Sequence, residues 1–436
     1  MEWPLVLVLL FGGFLILVLL GVPVVYAFFG VNIAWLYVLL GSAGLEQLIR
    51  SVYGSLALFV LLPITLFIFM GELMFRSDVA QRVLDALDAW LGKLPGRLSI
   101  LAVVAGALMS ALSGASIGST AMLGGTLVPE MRRRGYSKAM SLGPVLGSGG
   151  ISIMIPPSGL AVILAVIAGI SVGATLIAII IPGVILGLAY ASYIIARAVM
   201  RPEEAPRYDV KRIPMSARLW MGLKYIAPLA LILFLVVGTI FLGIATPTEA
   251  AALGVVGAFV LALVYGGFSW AGSRRAVMTT ARTSVMVLVL LAGAEAFSQV
   301  LALTGAHRGL ADWTVNLPLP PILIIAMMLV MTLILGMFIG GVPLMLITLP
   351  IFIPVVETLG FSPLWYGVLT LLAVEMAQTT PPYGILLFVM KGVAPADITI
   401  ADVTRAALPY IGIDAVVMVI LIVAPALVLW LPGMMG

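Results

Sequence analysis

Apolar residues run along the chain in long blocks separated by short polar gaps, from Pro4 almost to Gly436. Ten blocks are long enough to cross a hydrocarbon core of ~30 Å. They lie near 4–20, 21–41, 55–75, 139–168, 176–198, 222–244, 248–268, 283–304, 364–390 and 406–432. The first follows Met1-Glu2-Trp3 without a basic region or cleavage pattern, which predicts a retained span rather than a removed signal. Two further stretches, 98–128 and 319–356, are interrupted by small residues: Ser113-Gly114-Ala115-Ser116 and Gly340-Gly341-Val342-Pro343. Each half is short for a crossing, so both read as re-entrant helical hairpins. Their non-helical tips are tolerated only in protein or beside a wet cavity. Segment Asp78–Leu94 has apolar residues at helical spacing (Val79, Val83, Leu87, Trp90, Leu91, Leu94) with charges elsewhere. It predicts a helix lying in the membrane interface, able to brace moving and static parts.

The polar gaps carry the topology. Arg76, Arg82, Lys93 and Arg97 share one gap, and Arg132, Arg133, Arg134 and Lys138 the next. Arg197, Arg201, Arg207, Lys211, Arg212 and Arg218 share the longest, and Arg274, Arg275 and Arg282 another. The opposite gaps, 42–54, 169–175, 245–247, 305–318 and 357–363, hold only Arg50 and Arg308. If both hairpins return to their starting side, the positive-inside rule holds throughout, and both chain ends lie outside the cytoplasm. Composition agrees: 63% of the 436 residues are hydrophobic and 9% charged, against about 25% charged in a soluble domain. The chain is read as an all-α polytopic membrane protein. With no cysteine and one histidine, disulfides, thiolate sites and histidine-rich metal centres are excluded.

The chain also repeats. Pro129, Gly135, Tyr136, Ser137, Pro156, Pro157 and Gly159 recur as Pro354, Gly360, Phe361, Ser362, Pro381, Pro382 and Gly384, always 225 residues on. Trp90 and Leu94-Pro95 recur as Trp313 and Leu317-Pro318 at 223, Gly71 and Phe75 as Gly293 and Phe297 at 222, and Pro23 and Gly30 as Pro247 and Gly254 at 224. An ordered set at nearly constant offset marks an internal duplication. Each copy then has five spans and one hairpin, in 1–200 (hairpin 98–128, broken helix 139–168) and 219–436 (hairpin 319–356, broken helix 364–390). The polar stretch 201–218 is the cytoplasmic linker. An odd number of spans inverts the second copy, the architecture of secondary transporters.

The Pro-Pro pairs interrupt apolar runs, removing two amide donors and clashing with the preceding turn. The helices should break in mid-membrane and free carbonyl oxygens beside hydroxyls, while half-helix N-termini face an anion. Hairpin tips facing those breaks would complete a site for a small hard cation and an anionic substrate. The candidate cation ligands are Ser113, Gly114, Ser116, Ser152, Pro156, Gly340, Val342, Gln378 and Thr380. The candidate substrate contacts are Ser116, Ser158, Gly341, Thr379 and Tyr383. Small residues also serve close packing, and Gly183, Gly187 and Gly143 are expected to do so. Of the intramembrane carboxylates Glu72, Glu249, Glu295, Glu375 and Asp414, Glu375 stands two turns before Pro382 and is the candidate for coupling. Glu249 follows Thr246-Pro247 and reads as a helix cap.

Enzyme signals are weak. Gly114-Ala115-Ser116-Ile117-Gly118 fits Gly-x-Ser-x-Gly, but not on a strand–turn–helix, and His307 lies in an outer gap. An intramembrane serine hydrolase is the remote alternative. No phosphate-binding Gly-x4-Gly-Lys-[Ser/Thr] loop is present.

Three stretches carry a family resemblance: Ser113–Ser158 around Val128-Pro129-Glu130-Met131-Arg132-Arg133-Arg134-Gly135-Tyr136, Gly243–Gly254 with Ala245-Thr246-Pro247-Thr248-Glu249, and Gly336–Gly392 with Thr380-Pro381-Pro382. The chain resembles the large membrane subunit of tripartite ATP-independent periplasmic (TRAP) transporters along essentially its whole length. The resemblance implies an elevator-type carrier of the ion-transporter superfamily, driven by sodium ions and importing organic anions, typically carboxylates, across a bacterial inner membrane. It implies a small four-helix membrane subunit and a periplasmic substrate-binding protein as partners. It also implies sodium sites between tips and broken helices, at Ser113–Ser116 with Gly147–Pro157 and at Gly340–Val342 with Gln378–Pro382. One departure stands out: many relatives place an acidic residue after Gly-Met-Phe-x, whereas Gly340 follows Gly336-Met337-Phe338-Ile339 here. A stand-alone sodium- or proton-coupled carrier is the neighbouring alternative.

Overall fold

A computed structural model describes residues 2–75, 79–92, 94–113, 116–206, 214–265 and 268–435. Arg76, Lys93, Gly114, Ala115, Arg207, Lys211 and Arg212 lie outside the described residues. Those described form helices and no strand. The first half runs α1 (Trp3–Leu19), α2 (Val24–Leu40), α3 (Ser42–Leu56), α4 (Leu62–Phe75), α5 (Val79–Leu91), α6 (Arg97–Ser113), α7 (Ser116–Arg133), α8 (Lys138–Ile151), α9 (Gly159–Ile167), α10 (Val172–Ala178) and α11 (Ile180–Met200). The second half runs α12 (Met215–Met221), α13 (Ala227–Phe241), α14 (Pro247–Val264), α15 (Trp270–Leu303), α16 (Ala306–Val315), α17 (Pro321–Gly336), α18 (Gly341–Thr358), α19 (Pro363–Thr379), α20 (Ile385–Val393), α21 (Ile400–Val423) and α22 (Ala426–Leu429). Six helical segments are long and apolar enough to cross a membrane, or up to eight if each of two bent pairs counts as one span. The chain is a multi-pass membrane protein.

Two gaps between expected spans are helical. α3 and α16 occupy residues read as polar connections. Each buries only one stripe, Gly44, Leu48 and Ser51 in α3 and Ala306, Ala311 and Thr314 in α16. One-sided burial keeps the rest polar and hides such helices from a hydropathy reading. His307 accordingly sits on α16, with Nδ1 3.1 Å from the Leu301 carbonyl oxygen, rather than in a loop. α3 and α4 meet at a 57° bend through a short 3-10 turn, Phe59–Leu61. Pro63 offers no amide and its ring excludes the Phe59 carbonyl, which suits the 3-10 turn just ahead of α4. α15 contains no proline and continues for 34 residues, well upstream of the expected start near 283.

The helices α8 and α19 occupy the centre. Every residue from Met140 to Ile151 and from Trp365 to Thr379 is buried. Around α8 pack α6, α7 and α21, and around α19 pack α17, α18 and α21. A second set, α2, α4, α14 and α15, packs together beside them. Ion pairs gather at one end of the bundle: Arg97–Asp88 at 2.6 Å, Lys138–Asp402 at 2.7 Å and Arg197–Glu204 at 2.7 Å. Thr246 and Glu249 form a reciprocal cap on α14, each side chain bonding the other's amide.

Close backbone approach fixes the central crossings. A Cβ on Gly143 or Gly147 would meet the Tyr410 ring at 2.6 and 2.3 Å, which lets α8 lie flat against α21. A Cβ on Gly183 would stand 2.2 Å from the Met154 carbonyl oxygen. Gly187, expected to pack in the same way, has nothing within 4 Å of that position. It lies one turn further along the same face of α11, past the close approach. Gly183→Ala should therefore destabilise the protein by about 1–3 kcal/mol, while Gly187→Ala should be neutral. Thermal unfolding in detergent checks this, and equal behaviour of the two variants would contradict the packing.

Candidate functional site

Both Pro-Pro pairs follow the ends of the central helices. α8 passes into a 3-10 turn, Ser152–Met154, before Pro156-Pro157, and the chain resumes as α9 at a 47° bend. α19 stops at Thr379, ahead of Pro381-Pro382, and α20 begins at Ile385. Both Pro-Pro bonds are cis. The hairpin tips lie against these ends. Ser116 opens α7, and Gly341 opens α18.

A chain of polar groups links the tips. Ser116 Oγ lies 2.9 Å from Ser152 Oγ and donates to Glu375 Oε2 over 3.5 Å. Gln378 Nε2 donates to the same carboxylate oxygen over 3.2 Å. From the other side, a Cβ on Gly341 would meet Val374 at 2.9 Å and stand 4.0 Å from Gln378 Nε2. Gln378 thus stands between Glu375 and the second tip. Glycines make room for this: a Cβ on Gly149 would meet Thr120 Oγ1 at 2.9 Å, and one on Gly150 would meet Glu375 Cγ at 3.5 Å and the Tyr190 hydroxyl at 3.4 Å.

All of this is buried. Glu375 is 1% exposed, and its Oε1 accepts no hydrogen bond; the buried Thr120 Oγ1 has no partner either. The open Glu375 Oε1 and Thr120 Oγ1, with the hydroxyls of Ser116 and Ser152, form a donor set of the kind a hard cation takes. Deeper in, the Tyr190 hydroxyl donates to Asp414 Oδ1, and Tyr190 packs edge-on against Tyr410. Tyr190 and Asp414 are 224 residues apart, and Gly150 and Glu375 are 225 apart. These are the spacings of the sequence repeat.

Of the residues expected at the site, Ser116, Ser152 and Gln378 converge on Glu375. Gly341 stands beside Gln378, with Gly340 as its extended N-cap and Val342 half-buried in the first turn of α18. Other residues are engaged locally. Ser158 caps α9 by accepting from the Ala161 amide at 3.3 Å. Thr379 and Thr380 both donate to the Met376 carbonyl, at 3.1 and 2.6 Å. Pro156 is buried within the break. Tyr383 is 55% exposed and packs on Phe338, ring centres 5.1 Å apart. Gly114 and the side chain of Ser113 lie outside the described residues. The groups missing from the expected set are Thr120, Tyr190 and Asp414. Asp414 was visible as a carboxylate in an apolar run, and Tyr190 only through its repeat spacing to Asp414.

A model of the tripartite ATP-independent periplasmic transporter DctM component matches residues 11–427. The C4-dicarboxylate TRAP transporter large permease protein DctM of Pseudomonas aeruginosa is 34% identical over 385 residues, covering 87% of each chain. The isethionate TRAP transporter permease protein DctMQ of Oleidesulfovibrio alaskensis is 30% identical over 97% of this chain and 66% of its own. The solved structure of Neisseria gonorrhoeae MtrF has a TM-score of 0.61 at 14% identity, covering 88% of this chain and 85% of that one, a likeness of fold alone.

The contact between Ser116 and Ser152 is directly testable because the chain has no cysteine of its own. With the two hydroxyls at 2.9 Å, the double variant Ser116→Cys/Ser152→Cys should form an internal disulfide under mild oxidation. Both thiols should then become silent to maleimide. Two thiols that stay free and label in full would show that the hairpin does not meet the broken helix.

Proposed function

The chain belongs to the DctM family and is the large permease subunit of a TRAP transporter; from that premise we propose that it imports an organic anion, driven by the sodium gradient. The observation that carries this reading is the convergence of Ser116, Ser152, Glu375 and Gln378 from a hairpin tip and two interrupted helices. Sodium is a hard cation that takes carboxylate, hydroxyl and carbonyl oxygens, and Glu375 Oε1 is the buried oxygen left open for one. The N-termini of α7 and α18 approach the same place, so their positive dipole ends favour an anion beside the cation. Relatives named for C4-dicarboxylates and for isethionate support an organic anion as substrate.

The transport unit in this reading is the hairpins α6–α7 and α17–α18 with the interrupted helices, and it slides as an elevator against α2, α4, α14 and α15. The two halves, 1–200 and 219–436, are inverted repeats joined by the linker 201–218. Support comes from equivalent positions in contact: Tyr190 with Asp414, and Gly150 against Glu375. Residues related by a twofold axis touch only beside that axis. The protein spans the inner membrane with both termini periplasmic, as the basic residues at one end of the bundle favour. Its partners are a small four-helix subunit and a periplasmic binding protein. The DctMQ relative, a third of whose length lies beyond the match, agrees with the first.

Proteoliposomes containing this chain, the small subunit and the loaded binding protein should accumulate substrate when sodium is high outside. Uptake that persists unchanged in potassium would overturn sodium coupling. Glu375→Gln preserves shape and removes the carboxylate between the tips, so uptake should fall at least about tenfold, the scale of losing one charge-assisted contact. Wild-type uptake in that variant would remove Glu375 from the site.

A further inference from the structure

At the end of the bundle that carries Arg97 and Arg133, the amphipathic α5 meets the start of the span Met215–Phe241. That span has 27 residues, about 40 Å of helix, so its first turns reach past a hydrocarbon core of ~30 Å. They open into a π turn, Gly222–Ile226, between α12 and α13. Trp90 of α5 docks there: its Nε1 donates to the Arg218 carbonyl at 3.0 Å, and a Cβ on Gly222 would meet that ring nitrogen at 2.9 Å. Tyr265, which follows α14, donates its hydroxyl to the Lys224 carbonyl. Tyrosine and tryptophan at this depth mark the headgroup layer.

Two cations stand over the rings of this seat, and a third, Arg218, lies at the other end of α5, one of its terminal nitrogens 3.7 Å from where a Cβ on Gly92 would stand. The Arg82 guanidinium carbon lies 6.0 and 5.9 Å from the ring centres of Tyr225 and Tyr265, and Lys224 Nζ lies 5.4 Å from that of Tyr225. Arg218 Nε is buried and donates to nothing. Elsewhere at this end Arg97, Arg133, Arg134, Lys138, Arg197 and Arg201 each hold a carboxylate. No ion pair among the described residues engages Arg82, Arg218 or Lys224. Asp88, on the same helix as Arg82, is taken by Arg97 at 2.6 Å. Uncompensated positive charge at headgroup depth, flanked by the exposed side chains of Leu219 and Leu223, calls for an anion with an apolar body.

We propose that Arg82 and Lys224, with Tyr225 and Tyr265, bind the phosphate headgroup of an anionic phospholipid of the adjoining leaflet. The acyl chains lie along Leu219 and Leu223, and the bound lipid pins α5 to the foot of α13. This site is independent of the transport reading, because it concerns a different part of the fold and is read by binding alone.

The test uses the delipidated full chain in detergent, with lipid added back and thermal unfolding followed. Phosphatidylglycerol should raise the unfolding temperature saturably, and phosphatidylcholine and inorganic phosphate at equal concentration should not. Lys224→Gln should weaken the phosphatidylglycerol response by about fivefold, and Arg82→Gln/Lys224→Gln by the product of two such factors, the worth of a cation at an anionic surface. Arg50→Gln, which alters charge in a gap assigned to the opposite side, should leave the response unchanged. An equal shift with phosphatidylcholine, saturation by phosphate alone, or equal loss in the Arg50 variant would each overturn the proposal.

Discussion

Inside a bilayer, a backbone amide or carbonyl without a partner has no water to turn to, and most of this molecule follows from that constraint. A membrane helix can stop midway only where protein surrounds the stop. The two helices buried along almost their whole length, α8 and α19, are also the two that end just ahead of Pro-Pro pairs. Complete burial is what makes the interruptions tolerable. The hairpins supply much of that burial, with α7 packing on α8 and α18 on α19. Hydroxyls do part of the remaining work: Thr379 and Thr380 satisfy one of the last carbonyls of α19, and Ser158 satisfies an amide of α9. Glu375 Oε1 and Thr120 Oγ1 are among the buried oxygens left without a partner, and both sit beside the first hairpin.

If the halves are inverted repeats, as proposed, the contacts at the repeat spacing account for a difference between them. Under an inverted repeat, residues on the axis face their own counterparts. A glutamate at both 150 and 375 would bring two carboxylates together in an apolar interior, which disfavours ionisation of both. Glycine at 150 removes one and makes room for the other. At the second contact the pair is Tyr190 and Asp414, a donor facing an acceptor. Two aspartates there would repel, and two tyrosines would crowd a space already shared with the Tyr410 ring. Asymmetry in sequence at these positions is therefore compatible with the proposed symmetry of the backbone, and a single carboxylate would serve the proposed site.

Much of this was legible in the sequence for a physical reason. Long apolar blocks, proline pairs and small-residue interruptions each act through local rules, so Ser116, Ser152 and Glu375 could be named from spacing and repeat, and Gln378 with the help of the family resemblance. The misses are those that need three dimensions. α3 and α16 bury a single stripe, and their composition resembles a polar connection. Gly183 and Gly187 look alike in sequence, yet only Gly183 meets the backbone of another segment. Thr379 and Thr380 are as polar as Ser116, but a threonine near a helix end can turn back to its own carbonyls, and both do so. Tyr190 carries no signal beyond its spacing to Asp414, because a tyrosine in an apolar span is ordinary until its hydroxyl finds an acceptor.

A carrier that moves one group of helices past another needs an interface that holds without directional bonds. Between α1 and α16 on one side and α17–α18 on the other lies a cavity of about 400 Å³. Leu7, Phe11 and Leu310 line it on one wall and Leu335, Leu344 and Ile351 on the other. Its one hydroxyl, on Thr348, is already committed to the Leu344 carbonyl of its own helix at 2.9 Å. Displacing the walls relative to one another would exchange aliphatic contacts for aliphatic contacts, at little change in energy within a hydrocarbon surrounding. The polar, geometrically exacting contacts are gathered instead within the unit proposed to move, between Ser116, Ser152, Glu375 and Gln378. In the proposed elevator, that division would let the site keep its geometry while the unit around it changed position.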